Sequence, residues 1–509
     1  MTNSSKYTYR HLDMLQNSSA TSPLRVIALI DFDAFYAQCE TFRLGLSPTL
    51  PLAVRQWNAI IAVNYPARER GVKRGVSVEE ARKLCPEIIL QHVATWRAGE
   101  TTWAYRQDFA KHMSTDKSAL DPYRIASRKC FEFIRSQLPD EPVQRVEKAS
   151  IDEVFLDLSA QIHATLLKHF PELAERPVDS EHRLPQPILS SPLDWESDHV
   201  ADFDSLDPQP DWDDIALNIG AGIVRRVRAE IRTLYKYTCS AGIARNKMLA
   251  KLGASHQKPN QQTVIPNQAI DGFLSTYKFT KIRGLGGKLG IDVVKGFGSD
   301  RVADIARIPL GQLKCRLGDA SGNWVHDILR GVDTSIVNPR IAVQSMLSAK
   351  TFVPSLSTFE QATMWLRIFA ADLTSRLNEL QADYPRRPTV IALHHHINGR
   401  FGPTRSKQIT ISRSSAIDEM AFFSWSKTLL GQVCKDGPAW PCASLSVSIS
   451  GFEALVTRNQ RITSFFTKDA TLGKRTSHAC IRDDSEERSL KRVREASAEV
   501  GLLETSGTT

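Results

Sequence analysis

Asp31-Phe-Asp33 and Asp152-Glu153 carry the most suggestive chemistry in this sequence. The first group follows Arg25-Val-Ile-Ala-Leu-Ile30, an apolar run bounded by Pro23 and Asp31 that reads as a buried strand. The second lies in residues 143–158, which read as two strands around a tight turn at Ser150-Ile151, with Glu147 before it and Asp157 after it. Unpaired charge is too costly to bury, so carboxylates at strand ends need partners. Two acidic clusters brought together in one sheet are what a two-metal site requires, because hard divalent cations take oxygen ligands and keep waters and substrate phosphates. Two such ions ~3.5–4 Å apart would clamp the attacking and leaving oxygens of a phosphoryl displacement.

Groups suited to a strongly anionic substrate follow in the same chain. Tyr65 and Arg68, in Asn64-Tyr-Pro-Ala-Arg68, sit three apart after a strand and can face one pocket. Lys247 opens a helix after the turn Ser240-Ala-Gly242, where backbone N–H groups add to its charge. Gln56 and Arg74 flank a stretch of small residues that includes Ala59, Ala62 and Ala67.

These residues need elements to hold them. Short strands are expected at 52–54 and 60–63, a helix at 79–84 and an amphipathic helix at 215–234. Residues 281–298 are rich in Gly and Lys. Residues 343–454 mix a helix at 359–380 with strands such as 390–393 and 445–449, which suggests a small α+β domain. Residues 1–24 read as a polar extension with one helical turn around 9–15. The segment 171–215 carries 13 Asp and Glu against only Arg176 and Arg183, and reads as a flexible acidic insertion. Residues 456–509 read as a disordered tail. His394, His395 and His396 would alternate faces on a strand, so they are not expected to share a metal.

Composition sets the frame. At roughly 100–200 residues per domain, 509 residues imply several domains. A net charge of +9 hints at a polyanionic partner. No apolar run approaches the ~20 residues of a membrane-spanning helix, and the N-terminus lacks the apolar stretch of a secretory signal. Eight scattered Cys with no C-x-x-C pair point to free thiols in a reducing compartment.

Four ordered segments then carry a resemblance: DFDAFYAQCE at 31–40, QWNAIIAVNYPARERGVKRG at 56–75, EKASIDEVFLDL at 147–158 and CSAGIARNKMLAKLGASHQKPN at 239–260. Together they resemble the Y-family translesion DNA polymerases, most closely the eta type in its fungal form. The resemblance implies a multidomain α/β right hand. Its palm would be ferredoxin-like (25–34 and 120–267), with small fingers (35–119) and a helical thumb with a helix–hairpin–helix (268–339). An α+β little finger (340–455) would complete it. It implies template-directed insertion of dNTPs opposite damaged bases, such as linked pyrimidines, without proofreading. Another branch of the family, of the cytidyl transferase kind, and a non-catalytic DNA-binding scaffold stand as alternatives.

Residue by residue, the resemblance implies that Asp31, Asp152 and Glu153 are catalytic and bind two Mg²⁺ ions, replaceable by Mn²⁺, together with the Phe32 carbonyl. Asp33 matches a motif acid that is not a ligand. Tyr65, Arg68 and Lys247 would hold the triphosphate, Tyr36 would exclude a 2′-OH, Arg74 would meet the nucleotide, and Gln56 the template base. Lys350 and a basic loop at 400–407 would track the DNA backbone. In the tail, Asn459, Ile462, Phe465 and Phe466 resemble a sliding-clamp-binding box. Lys474-Arg475 and Lys491-Arg-Val-Arg494 suggest nuclear import. Primer–template DNA and dNTP are the implied partners of a monomer.

Overall fold

A computed structural model describes residues 4–454, apart from 141–142, 144, 197, 203–208, 340–342, 384 and 398–402. The chain opens with strand β1 (Ser4–Thr8) and helix α1 (Tyr9–Gln16). It continues through β2 (Ile27–Phe32), α2 (Phe35–Arg43), β3 (Leu52–Gln56), β4 (Ala59–Val63), α3 (Tyr65–Glu69), α4 (Val78–Leu84) and β5 (Ile89–His92). Next come β6 (Ala94–Trp96), β7 (Lys117–Ala119), α5 (Asp121–Ser136), β8 (Arg145–Lys148), β9 (Glu153–Asp157), α6 (Ser159–His169), β10 (Arg183–Pro185) and β11 (His199–Val200). The helix α7 (Trp212–Tyr235), β12 (Cys239–Ala244), α8 (Lys247–His256) and β13 (Gln262–Val264) complete the first large unit.

Its sheet has six strands in the order β11-β13-β12-β2-β9-β8, with β2 antiparallel to both β12 and β9. β2 is buried along its whole length. Side chains alternate along a strand, and here Ala28 and Ile30 enter one core while Ile27 and Leu29 enter another. Parity therefore puts Asp31 on the Ile27–Leu29 side, the side on which α8 packs. β12 and α8 can approach closely only because position 242 is Gly: a Cβ there would lie 2.1 Å from the Ala250 carbonyl oxygen.

Residues 35–119, expected as the fingers, contribute to three cores. One of them (Ala53, Ile60, Val63, Ala67, Val72, Ala81) lies on the sheet β4-β3-β5. Phe35 and Ala37 of α2 belong to the large core of the palm. The β6–β7 hairpin sends Ala94, Trp96 and Ala119 into the core of the C-terminal domain. Trp96 is fully buried there, and so large an apolar surface decides where the hairpin packs.

Two regions of low sequence pattern are built into the fold. The N-terminal residues are not a loose extension. Tyr7, Tyr9, Leu12 and Leu15 are buried in the palm core, and β1 pairs with β10. Nor does 171–215 behave as a flexible insertion over its described residues. Leu173, Leu184, Trp195 and Trp212 are buried, and β11 adds a strand to the palm sheet beside β13. Arg225 binds Asp198 at 2.7 Å and also pairs with Glu196. A few large apolar anchors and one arginine hold a segment whose average composition is that of a solvated chain.

Beyond the palm, α9 (Ile270–Ser275), α10 (Lys288–Phe297), α11 (Val302–Ile305), α12 (Leu310–Leu317) and α13 (Asp319–Ile328) share one core with α8. The C-terminal domain contains β14 (Ser345–Leu356), α14 (Phe359–Asp383), β15 (Arg386–Arg387), β16 (Val390–Ile397), β17 (Thr404–Thr410), α15 (Glu419–Lys435), β18 (Cys442–Ser450) and β19 (Glu453–Ala454). Its antiparallel sheet runs β14-β18-β16-β17, with α14 and α15 packed on it. On β16, His395 is buried while His394 and His396 are half-buried. The clamp-like residues Asn459, Ile462, Phe465 and Phe466 and both basic clusters of the tail lie outside the described residues.

Arg25 staples the palm to the connection that leads into the C-terminal domain. Its guanidinium meets Asp157 at 3.3 Å with both side chains buried, and donates to the Ser335 carbonyl at 3.1 Å. Removing one partner of a buried pair leaves the other charge stranded. Arg25→Ala should therefore cost about 3–5 kcal/mol, while Arg25→Met together with Asp157→Leu should cost much less. Urea unfolding of the two variants checks this.

Candidate active site

Asp31, next to last in β2, lies directly opposite Glu153, the first residue of β9. Neighbouring like charges on one face repel unless neutralised, and two lysines do this. Lys251 of α8 binds Glu153 at 2.7 Å and Asp31 at 3.3 Å, and Lys258 pairs with the second oxygen of Asp31. Burial works against the Lys251 ammonium, yet Glu153 and Asp31 hold its pKa above the ordinary lysine value. Asp152 joins them through its backbone: the Phe32 N–H donates to the Asp152 carbonyl at 2.9 Å. Its side chain accepts from Ser150 Oγ at 2.5 Å.

Asp33 has a different task. It accepts from Ser240 Oγ at 2.7 Å and from the Asn260 N–H at 2.9 Å. It thereby fixes the loop after α8 that carries Lys258. Between Asp33 and α2, Ala34 takes a left-handed conformation (φ 44°), which turns Tyr36 into the cleft.

The cleft has a volume of about 620 Å³. Asp31, Phe32 and Asp152 form one side, Tyr36 another, and Tyr65, Arg68, Lys73 and Arg74 the fingers wall, with Lys258 at the edge. Asn64 caps α3 by accepting from the Ala67 N–H, which sets Tyr65 and Arg68 at the start of that helix. The Arg68 guanidinium lies 4.6 Å over the Tyr65 ring and donates to the Val63 carbonyl. Burial, with Asp33 and Asp31 close by, pushes the Tyr65 hydroxyl up to about 12, so it stays a neutral donor. Small side chains at Ala34 and Ala62 keep the cleft open.

Glu153, Gln56 and Lys247 are not among the residues that line this cleft. Lys247 is buried and bonds both oxygens of Glu147 at 2.7 and 2.8 Å and the Ile336 carbonyl at 3.3 Å. It is a structural tie: Glu147 also accepts the Asn338 N–H. The ammonium groups at the carboxylates are Lys251 and Lys258, which sequence reasoning passed over. The signal was present in Lys258-Pro-Asn260, directly after the helix that Lys247 opens.

Gln56 faces a separate groove of about 680 Å³ between the fingers and the C-terminal domain, and donates to Ser118 Oγ at 2.8 Å. Lys350 lines the same groove but is not free to follow a DNA backbone. It donates to the Met113 and Asp116 carbonyls and sits 4.6 Å over the Trp57 ring. Burial pushes its pKa down to about 8. Between that value and the unfolded lysine value of about 10.4, the unfolded chain binds the extra proton, so stability should rise with pH across this window. The rise should be lost in Lys350→Met, as read by denaturant unfolding at pH 7.5 and 10.

Three carboxylates at neighbouring strand ends offer the oxygen donors a hard divalent cation takes. Among the described residues no three metal-type side chains converge on one point. A cation here would complete its shell with water and substrate phosphate.

A palm sheet with acids at its centre, a fingers wall of cations and a helical thumb define a nucleotidyl-transfer hand of the Y-family class. Comparison with known proteins agrees. The impB/mucB/samB family model matches residues 30–255, and the model of its C-terminal domain matches 343–464. The helix–hairpin–helix motif of DNA polymerase eta and Rev1 matches 279–332. DNA polymerase eta of Saccharomyces cerevisiae is 30% identical over 89% of this chain and 80% of that protein. DNA polymerase eta of Arabidopsis thaliana is 30% identical over 91% of the chain and 68% of that protein. N-acetyltransferase eso1 of Schizosaccharomyces pombe is 37% identical over 91% of the chain, which spans 52% of that protein's length. The chain belongs to the eta type of the Y-family DNA polymerases. This is a family of divalent-metal-dependent, DNA-directed DNA polymerases that synthesise past damaged template bases.

Proposed function

We propose that this protein extends a DNA primer opposite damaged template bases, linked pyrimidines among them, using two Mg²⁺ ions that Mn²⁺ can replace. One observation carries the reading: Asp31 and Asp152 line a cleft walled by Tyr65, Arg68, Arg74 and Lys258, and Glu153 stands in register with Asp31 on the neighbouring strand. Bound there, the cations would polarise the α-phosphate and the primer hydroxyl. Asp31, Asp152, Glu153 and the Phe32 carbonyl would hold them.

The chain's own groups do the rest. Tyr65, Arg68 and Lys258 hold the triphosphate, and Arg74 meets the incoming nucleotide. Tyr36 lies under its sugar and excludes a 2′-OH. The primer 3′-oxygen attacks the α-phosphorus, and pyrophosphate leaves from a site rich in positive charge. Gln56 reaches the template strand from the second groove. Asn459, Ile462, Phe465 and Phe466 dock on a sliding clamp. The protein works in the nucleus as a monomer.

Primer extension on a template with a linked thymine pair tests this. Full-length product is expected with Mg²⁺ or Mn²⁺ and none with chelator. A stop one nucleotide before the pair, with normal extension on undamaged template, would overturn the lesion assignment. Insertion of dCTP alone opposite every template base would favour the cytidyl transferase branch.

A further inference from the structure

Two residues, Trp57 and Asn58, join β3 to β4, since Gln56 pairs with Ala59 across the hairpin. Trp57 takes a left-handed conformation (φ 55°), which a bulky side chain adopts only when its surroundings enforce it. Two contacts do so. The Arg55 side chain donates to the Trp57 carbonyl at 2.7 Å, and the Trp57 N–H donates to Nε2 of His92 at 3.0 Å. Both Gln56 and Trp57 line the groove between the fingers and the C-terminal domain.

His92 is set up as an acceptor. It ends β5, opposite Arg55 in the parallel register with β3, and is buried. Its Nδ1 lies 2.7 Å from the Val93 carbonyl, which can only accept, so Nδ1 carries the ring hydrogen and Nε2 keeps its lone pair. Burial, with Arg55 beside it, pushes the His92 pKa down to about 4, so the ring is neutral in neutral solution. It stacks on Phe109 with centroids 4.0 Å apart and planes 12° from parallel, and the Arg55 guanidinium lies 5.0 Å over the same Phe109 ring. An imidazole held at both nitrogens and on one face has one orientation.

We propose that His92 is a positioning residue: it holds the β3–β4 turn and so places Gln56 against the template base. The inference rests on the reading of Gln56 as a template contact. Without an acceptor the Trp57 N–H loses its partner, and the left-handed turn relaxes toward ordinary backbone. Gln56 directly precedes that turn, so its amide moves with it. An undamaged template base can follow a displaced contact, because its backbone torsions are free. Two covalently linked bases cannot adjust independently, so the displacement weighs most on a linked pair.

The test measures kcat/KM for dATP opposite the first thymine of a linked pair and opposite an undamaged thymine. His92→Phe keeps a stacked ring but has no acceptor. It should lose about tenfold on the linked pair, the scale of one misplaced hydrogen bond, and no more than about threefold on undamaged template. His92→Gln, whose amide oxygen can reach the Trp57 N–H, should stay near wild type on both. In a Gln56→Ala background, itself impaired on the linked pair, His92→Phe should add less than about twofold, because both act through one contact. Wild-type behaviour of His92→Phe beside an impaired Gln56→Ala would overturn the positioning role and leave the template contact. An equal loss on both templates, or a full further loss from His92→Phe in the Gln56→Ala background, would overturn it too, as a general or remote effect. Wild-type behaviour of Gln56→Ala would overturn the template reading, and the proposal with it. If His92→Phe does not fold, His92→Leu, which also lacks an acceptor, is read in its place with the same outcomes.

Discussion

Asp31→Asn should abolish primer extension, lowering the incorporation rate by about a thousandfold or more, or roughly 4 kcal/mol of lost transition-state stabilisation. The substitution keeps the shape and one acceptor oxygen. It removes the charge that faces Glu153 and balances Lys251 and Lys258. Asp152→Asn should behave alike, because Asp152 lines the same cleft from the neighbouring strand turn. DNA affinity should change by no more than about twofold in either variant, since duplex binding rests on many phosphate contacts. Rapid-quench incorporation with fluorescence-anisotropy titration of the DNA separates the two quantities. Extension by either variant at more than a tenth of the normal rate would remove these acids from the chemistry.

Lys258→Ala and Lys247→Ala should fail in different ways. Lys258 ends in the cleft beside Asp31, so its loss should cut kcat/KM for dNTP by about a hundredfold, the scale of one lost preorganised donor. Protein stability should be little affected. Lys247 sits on Glu147 and the Ile336 carbonyl, where both charged groups are largely buried. Its loss should leave kcat/KM nearly intact at low temperature but destabilise the fold by about 2–3 kcal/mol, somewhat below the full cost of breaking a buried pair because the Asn338 N–H still serves Glu147. Thermal unfolding and steady-state kinetics on both variants distinguish the roles. A kinetic defect confined to Lys247→Ala would reverse the assignment.

The contrast between these lysines shows what a sequence can convey about such a site. β2 was legible because an apolar run of strand length ending in two acids has few other readings. The acids of β2 and β9 were legible for the same reason, and antiparallel register then places Asp31 beside Glu153 without further information. Lys247 and Lys258 lie on one segment with similar local surroundings. Only the position of Glu147 on β8, a hundred residues away in sequence, draws the first inward and leaves the second to the cleft.

The acidic segment at 171–215 misled for a related reason. Average charge describes how a chain would behave if nothing held it. Trp195 and Trp212 are two side chains among many, yet their burial decides the outcome, and Arg225 on α7 supplies the counter-charge. The buried N-terminal strand was hidden likewise: Ser5 and Tyr7 look polar until Asp211 accepts the Ser5 hydroxyl at 2.5 Å and the palm core accepts the Tyr7 ring.

A structure of the protein with primer–template DNA, a non-hydrolysable dNTP and Mg²⁺ tests the central claim most directly. Two ions are expected on Asp31, Asp152 and Glu153. The triphosphate should lie on Tyr65, Arg68 and Lys258, the sugar over Tyr36, and Lys247 should remain on Glu147. A triphosphate bound at Lys247, or in the groove at Gln56 with the cleft of Asp31 empty, would contradict it.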